Sequence, residues 1–143
     1  MASPGFSLML EGVSYMVGAE LPGVFVNVMR RGLSSEISTL CSHADVNQAR
    51  CGTHGDHAII AMTASTHQDI FEVTVNAFNL AETYRTPVIL LFDEVVAHMR
   101  ERLIIPEKGE LPLVERLRTS VKEGVDYHPY LPREDGRLPM SDF

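Results

Sequence analysis

Apolar residues in the first hundred positions follow helical and strand spacings in alternation. From Phe6 to Glu20 they recur every three or four residues, which predicts a helix with one buried face. The run "VFVNVM", Val24 to Met29, is mostly β-branched and almost wholly apolar. Such a run is typical of a short strand that is covered on both sides of a parallel sheet.

The same alternation continues to residue 92. The runs "AIIAM", Ala58 to Met62, and "VILLF", Val88 to Phe92, predict two further buried strands. Between them the spacing predicts a helix from about His67 to Tyr84, with Ser65 or Thr66 as its N-cap.

A Ser-rich loop, 33–42, and a short helix within "HADVNQARCG" that ends at Gly52 complete this part of the chain. The order is therefore helix, strand, short helix, strand, helix, strand, which indicates an α/β fold with a parallel sheet. Three strands are fewer than the five or six of a typical sheet, so we expect a partial doubly wound sheet.

The chain changes character after Met99. Five prolines follow, and only Leu111 to Val121 keeps any periodicity. We therefore predict two parts: a partial α/β domain, 1–99, and an extended arm or linker, 100–143, which leads towards a following domain.

The motif Ser3-Pro4-Gly5 is predicted to form a turn immediately before the first helix. In an α/β sheet such a turn connects the end of a strand to a helix, yet no strand precedes it in this sequence. Ligands of open α/β sheets bind outside the carboxyl ends of the strands. The turn is therefore predicted to lie at a ligand site.

Composition and charge narrow the class of protein. The 143 residues carry a formal net charge of −7, which argues against nucleic acid or an anionic membrane as the main partner. No apolar run approaches the roughly 20 residues that span a bilayer, and the first residues do not resemble a secretion signal. Cys41 and Cys51 do not form a disulfide framework. We expect a soluble cytoplasmic protein with reduced thiols.

Four stretches, taken as an ordered set, carry a family resemblance: "SPGFSLMLEG", "AELPGVFVNVMRRG", "HADVNQARCGTHGD" and "AFNLAETYRTPVILLFDE". Together they resemble the alpha subunit of the 2-oxoacid:ferredoxin oxidoreductases, and more closely the 2-oxoglutarate and branched-chain types than the pyruvate type. The resemblance implies a thiamine-diphosphate-binding fold and the oxidative decarboxylation of a 2-oxoacid with coenzyme A. The products are an acyl-CoA and reduced ferredoxin.

The resemblance also implies cofactors and partners. The pyrimidine end of thiamine diphosphate binds the alpha subunit, whereas its diphosphate and Mg²⁺ lie on a beta subunit that also holds an iron–sulfur cluster. The expected partners are that beta subunit and, through the complex, ferredoxin. Because a partial sheet leaves strand edges and apolar helix faces uncovered, we also expect the isolated chain to oligomerise.

Cofactor contact is assigned by the resemblance to Ser3, Pro4 and Gly5, which match the end of the family's Thr-Ser-Gly-Pro-Gly turn with one glycine fewer. The family's activating glutamate lies upstream of that turn, so no residue of this sequence inherits its catalytic role. We therefore expect a piece of the subunit, truncated at both ends and inactive alone. A non-catalytic assembly or regulatory module that keeps the family's docking surfaces is the alternative.

Substrate contact is assigned by the resemblance to three residues. Arg30 matches the arginine that ends the family's next strand, and its guanidinium can hold the substrate carboxylate by two hydrogen bonds. Ser34 and Ser35 match the hydroxyl positions of the substrate loop. Arg31 replaces a family glycine and is expected to be a solvated residue.

Two other clusters have competing interpretations. Asp93 follows the third strand and either faces the site or caps a helix at Val95, and we favour the cap. A zinc site is suggested by Cys41, His43, Cys51, His54 and His57. Their spacing is not a standard zinc pattern and "THGD" matches the family's Gly-His-Gly-Asp turn, so we assign no metal ligand.

Overall fold

The computed structural model describes residues 3–31, 40–107, 109–116, 128 and 130–139. Within these ranges the elements are α1 (Ser3–Gly18), β1 (Gly23–Met29), α2 (Asp45–Cys51), β2 (Ile60–Thr63), α3 (His67–Tyr84), β3 (Pro87–Asp93) and α4 (Glu94–His98). No helix among the described residues is long and apolar enough to cross a membrane.

The three strands form one parallel sheet in the order β1-β3-β2, with β3 in the centre. The register pairs β1 with β3 along their full length, from Gly23 opposite Pro87 to Met29 opposite Asp93. Because a central parallel strand is covered on both faces, its residues Pro87 to Phe92 are all buried. The predicted α/β class with a parallel sheet is confirmed.

Helices cover both faces of this sheet, which gives two apolar cores. On one face Ile89 and Leu91 pack with Phe6 of α1, Met29 and Ala49 of α2. On the other face the alternate residues of β3 pack against α3, in a cluster of Val88, Leu90, Phe92, Ala77 and Ala81. The small alanine side chains let α3 lie close to the sheet.

The predicted elements are found with small shifts of their ends. Helix α3 begins at His67 because the Thr66 hydroxyl accepts a hydrogen bond of 3.1 Å from the Asp69 N–H. Strand β2 begins at Ile60, two residues after the start of the predicted strand. Helix α2 ends before Gly52, where a Cβ would lie 2.3 Å from the Gln48 carbonyl oxygen.

The predicted turn at Ser3-Pro4-Gly5 is wrong, because these residues form the beginning of α1. Proline is tolerated in the first turn of a helix, since its missing N–H would have no partner within the helix there. The Pro-Gly pair therefore marks a helix N-terminus in this chain.

The described residues after His98 contain no helix or strand. Residues 112 and 114 are hydrogen-bonded to helix α3. The Asn79 side chain donates to the Pro112 carbonyl (2.6 Å) and accepts from the Val114 N–H (2.8 Å). The periodicity of 111–121 does not form a helix over residues 111–116, and 117–121 lie outside the described residues.

At the amino ends of the strands, a buried arginine joins three parts of the chain. Arg85 is 5% exposed and its Nη1 lies 3.2 Å from Oε2 of Glu20. Arg85 also donates to the carbonyl of Leu138, whose N–H donates to Glu20 over 3.2 Å. This network fixes residue 138 beside the loops that precede β1 and β3.

We expect Glu20→Ala to lower the free energy of unfolding by about 2 kcal/mol, because it removes the carboxylate that faces a buried guanidinium. Urea unfolding measures this change. Glu11→Ala is the matched control, since Glu11 is 83% exposed and its loss should cost less than about 0.5 kcal/mol. Equal effects of the two substitutions would contradict the role given to Glu20.

Glu101 fixes the start of the segment after α4 to the N-terminus of α3. Its Oε2 accepts from the His67 backbone N–H (2.9 Å) and lies 3.1 Å from His67 Nδ1. These hydrogen bonds lower the pKa of Glu101 below 4.5, the ordinary value for glutamate. A lowered pKa in the folded state stabilises the fold above pH 4.5 and is lost as the pH falls through the lowered pKa.

We therefore expect Glu101→Gln to lower the melting temperature at pH 7, and the difference from the unsubstituted protein to shrink as the pH falls below about 4.5. Differential scanning calorimetry over this range checks the prediction. Glu115→Gln, at an exposed position on the same segment, should show no such pH-dependent difference. A difference that grows towards acid would reverse the assigned sign.

Candidate functional site

The carboxyl ends of the three strands meet at one edge of the sheet, which we call the site edge: Arg30, Thr63 and Asp93 with their neighbours. Helix α1 runs antiparallel to β1, because Phe6 packs with Met29 whereas Met16 meets Gly23. The N-terminus of α1 therefore lies at the site edge. Ligands of open α/β sheets bind at this edge, and the positive end of a helix dipole there favours anionic groups.

Arg30 directly follows β1 and is half-buried. Its Nε is buried and has no hydrogen-bond partner among the described residues. A buried donor without a partner is costly, and a guanidinium can bind a carboxylate through two parallel hydrogen bonds. Among the described residues, Arg30 Nε is thus a buried donor at the site edge that lacks an acceptor.

Residues 40–45, which we call the site wall, are hydrogen-bonded at both ends to β1 or to the residues that directly follow it. The Arg31 N–H donates to the Leu40 carbonyl over 2.7 Å. His43 Nε2 lies 3.6 Å from Asp93 Oδ2. The wall ends at Asp45, whose Oδ2 accepts a buried hydrogen bond of 2.8 Å from Asn27 Nδ2. The wall therefore stands over the ends of β1 and β3, next to Arg30.

Asp93 has two contacts, one for each carboxylate oxygen. Oδ1 accepts from the Val95 N–H over 2.9 Å and caps α4, which confirms the predicted cap. Oδ2 faces His43, which is 76% exposed. The cap and the site interpretations of Asp93 are therefore compatible, because one carboxylate serves both.

The end of β2 opens on a cleft of about 310 Å³, which is lined by Thr63, Ala64, Ser65, Asp69, Glu72 and Val73. Hydrogen bonds from the Ser65 and Thr66 side chains lower the pKa of Asp69. This part of the site edge is consequently acidic, whereas the end of β1 carries the arginine.

The structure brings together some of the sequence-predicted site residues. Ser3, Pro4 and Gly5 begin α1 at the site edge, where Arg30 also lies. Ser34 and Ser35 lie outside the described residues.

The cysteine and histidine residues between 41 and 57 have separate contacts. Cys41 and Cys51 are exposed free cysteines. His54 Nε2 lies 3.5 Å from Glu11 Oε2, and Thr53 Oγ1 lies 2.9 Å from His57 Nε2. In the part of the chain that the structure describes, no three His, Cys, Asp or Glu side chains are grouped as metal ligands would be.

The contact between Asn27 and Asp45 is not among the contacts predicted from the sequence. A signal was available, because Asn27 is the one polar residue in the run "VFVNVM" and a buried polar side chain needs a partner. The identity of that partner was not predictable, since Asp45 lies 18 positions further along the chain.

A match to a known protein family shows which family this chain belongs to. Residues 1–135 match the family described as "Pyruvate flavodoxin/ferredoxin oxidoreductase, thiamine diP-bdg". The chain belongs to this family. It thus has a thiamine-diphosphate-binding domain, and the predicted resemblance to the alpha subunit is confirmed.

Relatives in two substrate classes are similar to this chain. The 2-oxoglutarate synthase subunit KorA of Methanothermobacter thermautotrophicus is 43% identical over 142 residues, which are 99% of this chain and 37% of the relative. The ketoisovalerate oxidoreductase subunit VorB of Methanothermobacter marburgensis is 42% identical over 110 residues, 76% of this chain and 31% of the relative. The chain spans less than half the length of these relatives.

A solved structure matches the fold. It is the 2-oxoglutarate:ferredoxin oxidoreductase from Magnetococcus marinus with 2-oxoglutarate, coenzyme A and succinyl-CoA bound. The TM-score is 0.80 at 29% identity, over 98% of this chain and 24% of that one. The α/β sheet described above is therefore the thiamine-diphosphate-binding fold of this family.

We expect Asp93→Ala to lower the stability by about 1 kcal/mol, because α4 loses its N-cap. Asp93→Asn should cost less, since asparagine caps a helix about as well as aspartate. Thermal unfolding measures both, with Asp56→Ala at an exposed position as the control. If Asp93→Asn were as destabilising as Asp93→Ala, the carboxylate charge would matter and the cap would not explain the loss.

Proposed function

We propose that this chain forms the pyrimidine-binding part of the alpha subunit of a 2-oxoacid:ferredoxin oxidoreductase. The observation that carries the proposal is Arg30, an arginine with an unpartnered buried Nε at the carboxyl edge of a thiamine-diphosphate-binding sheet. Subunits of 2-oxoglutarate and ketoisovalerate oxidoreductases are its relatives. None of the comparisons favours the alternative of a non-catalytic assembly module.

Arg30 holds the carboxylate of the 2-oxoacid. A fixed guanidinium gives two hydrogen bonds to a carboxylate, and this fixes the direction of the bond that decarboxylation breaks. Ser34 and Ser35 are proposed to add hydroxyl contacts to the same substrate. Arg31 is exposed and contributes its backbone N–H to the wall, so its side chain has no part in the proposal.

The site edge fits one end of thiamine diphosphate. Ser3, Pro4 and Gly5 at the N-terminus of α1 are proposed to lie against the pyrimidine, next to the edge that carries Arg30. When bound, the cofactor supplies the carbanion-stabilising centre that 2-oxoacid decarboxylation requires. This chain's own contribution is to orient the substrate carboxylate and to form one side of the cleft.

The remaining chemistry is proposed to come from other subunits. A beta subunit binds the diphosphate with Mg²⁺ and holds an iron–sulfur cluster. The reaction breaks the bond between C1 and C2 and releases CO₂. The acyl carbon is joined to the sulfur of coenzyme A, the thiol proton is released, and the two remaining electrons pass to ferredoxin. The proposed division of the chain, with the α/β part at 1–99 and the arm at 100–143, is supported by the absence of helix and strand from the described residues after His98.

In the complete complex, Arg30→Ala should lower kcat/KM for the 2-oxoacid roughly a hundredfold or more, because a buried charged contact to the substrate is lost. Arg30→Lys should lower kcat/KM roughly tenfold, since an ammonium group keeps the charge but cannot give the two parallel hydrogen bonds of a guanidinium. The assay is the reduction of an electron acceptor that depends on both the 2-oxoacid and coenzyme A.

Arg31→Ala is the matched control and should leave kcat/KM within about twofold, as expected for an exposed side chain. If Arg30→Ala also stayed within that range, Arg30 would not be the carboxylate ligand. If the unsubstituted complex showed no 2-oxoacid-dependent reduction, the proposed reaction itself would be wrong.

A further inference from the structure

One buried polar contact lies beneath the site edge, inside an otherwise apolar layer. Asn27 is 0% exposed and Asp45 is 4% exposed. They join the middle of β1 to the first residue of α2, through a hydrogen bond of 2.8 Å. Asn27 lies opposite Leu91 of β3. It is two residues before Met29, so the two side chains are on the same face of the sheet.

Burying this polar pair does not favour the stability of the fold. The surrounding cluster is apolar, with Met29, Ala49 and Leu91 among its members. Asn27 Oδ1 is buried and has no hydrogen-bond partner among the described residues. A pair of apolar side chains would fill the same space without this loss, whereas a buried polar pair fixes one arrangement of the elements that it joins.

The arrangement that it fixes is the site wall. Asp45 is the last residue of the wall, and His43 stands two residues earlier, facing Asp93. The other end of the wall is held by the hydrogen bond from Arg31 N–H to the Leu40 carbonyl. Because Arg31 directly follows Arg30, this hydrogen bond holds the wall one residue away from the proposed substrate arginine.

We propose that Asn27 and Asp45 are positioning residues, which hold the wall over the ends of β1 and β3 and so set the width of the substrate cleft beside Arg30. They act through the wall and do not touch the substrate. The effect on substrate rests on the proposed function, whereas the effect on the wall does not.

The test uses three variants of the complete complex. Asn27→Leu with Asp45→Ala removes both polar groups at once, so neither is left buried and unpaired. Asp45→Ser is a second disrupting variant, because serine still suits the start of a helix but is too short to reach the Asn27 amide. Asp45→Asn is the matched control, since its side-chain oxygen can still accept from Asn27 Nδ2.

Hydrogen exchange followed by mass spectrometry reports on the wall directly. Amides of peptide 40–46 should exchange at least roughly fivefold faster in the disrupting variants, because local opening becomes easier. Those of β3, 87–93, should be unchanged, and Asp45→Asn should behave like the unsubstituted complex. Unchanged exchange of 40–46 in a folded disrupting variant would overturn the proposal.

Steady-state kinetics report on the cleft. The KM for the 2-oxoacid should rise roughly tenfold in the disrupting variants, while the KM for coenzyme A stays within about twofold. Asp45→Asn should restore the 2-oxoacid KM. If the wall loosened without any change in that KM, the assignment of the wall to the substrate cleft would be wrong. If the unsubstituted complex had no 2-oxoacid activity, the proposed function would fail while the exchange result still decided the role of the pair.

Discussion

The fold depends on one strand that is apolar on both faces. Residues 87–92 of β3 are all buried, so helices must cover the sheet on both sides. A parallel sheet covered in this way places every strand's carboxyl end at the same edge. Arg30, Asp93 and the N-terminus of α1 are brought together by this constraint, although they are far apart in sequence.

Buried polar contacts hold connecting segments near both edges of the sheet. Beneath the site edge, Asn27 and Asp45 fasten α2 to β1. At the opposite edge, Arg85 and Glu20 fasten residue 138 to the loops before β1 and β3. Hydrophobic burial is not directional, whereas a hydrogen-bonded pair selects one arrangement. The core thus decides the layers, and these pairs decide where the connecting segments lie.

The elements could be predicted because their signals are local. Thr66 caps α3 within three residues, and the apolar run of β3 identifies a central strand by itself. The contact of His43 with Asp93 could not be predicted, because it joins segments 50 positions apart that only the sheet brings together. The turn predicted at Ser3-Pro4-Gly5 is wrong for a different reason, since proline and glycine favour both a turn and a helix start.

The chain has a net charge of −7, and the carboxylates described at the site edge have hydrogen-bond donors other than Arg30. Asp93 is satisfied by the Val95 N–H and faces His43, and Asp45 is satisfied by the Asn27 amide. Asp69 Oδ2 accepts from the Ser65 hydroxyl over 3.0 Å. Each of these carboxylates therefore accepts a hydrogen bond from a group other than Arg30. Among the described residues Arg30 Nε has no hydrogen-bond partner, which supports the proposal that Arg30 binds the carboxylate of a ligand.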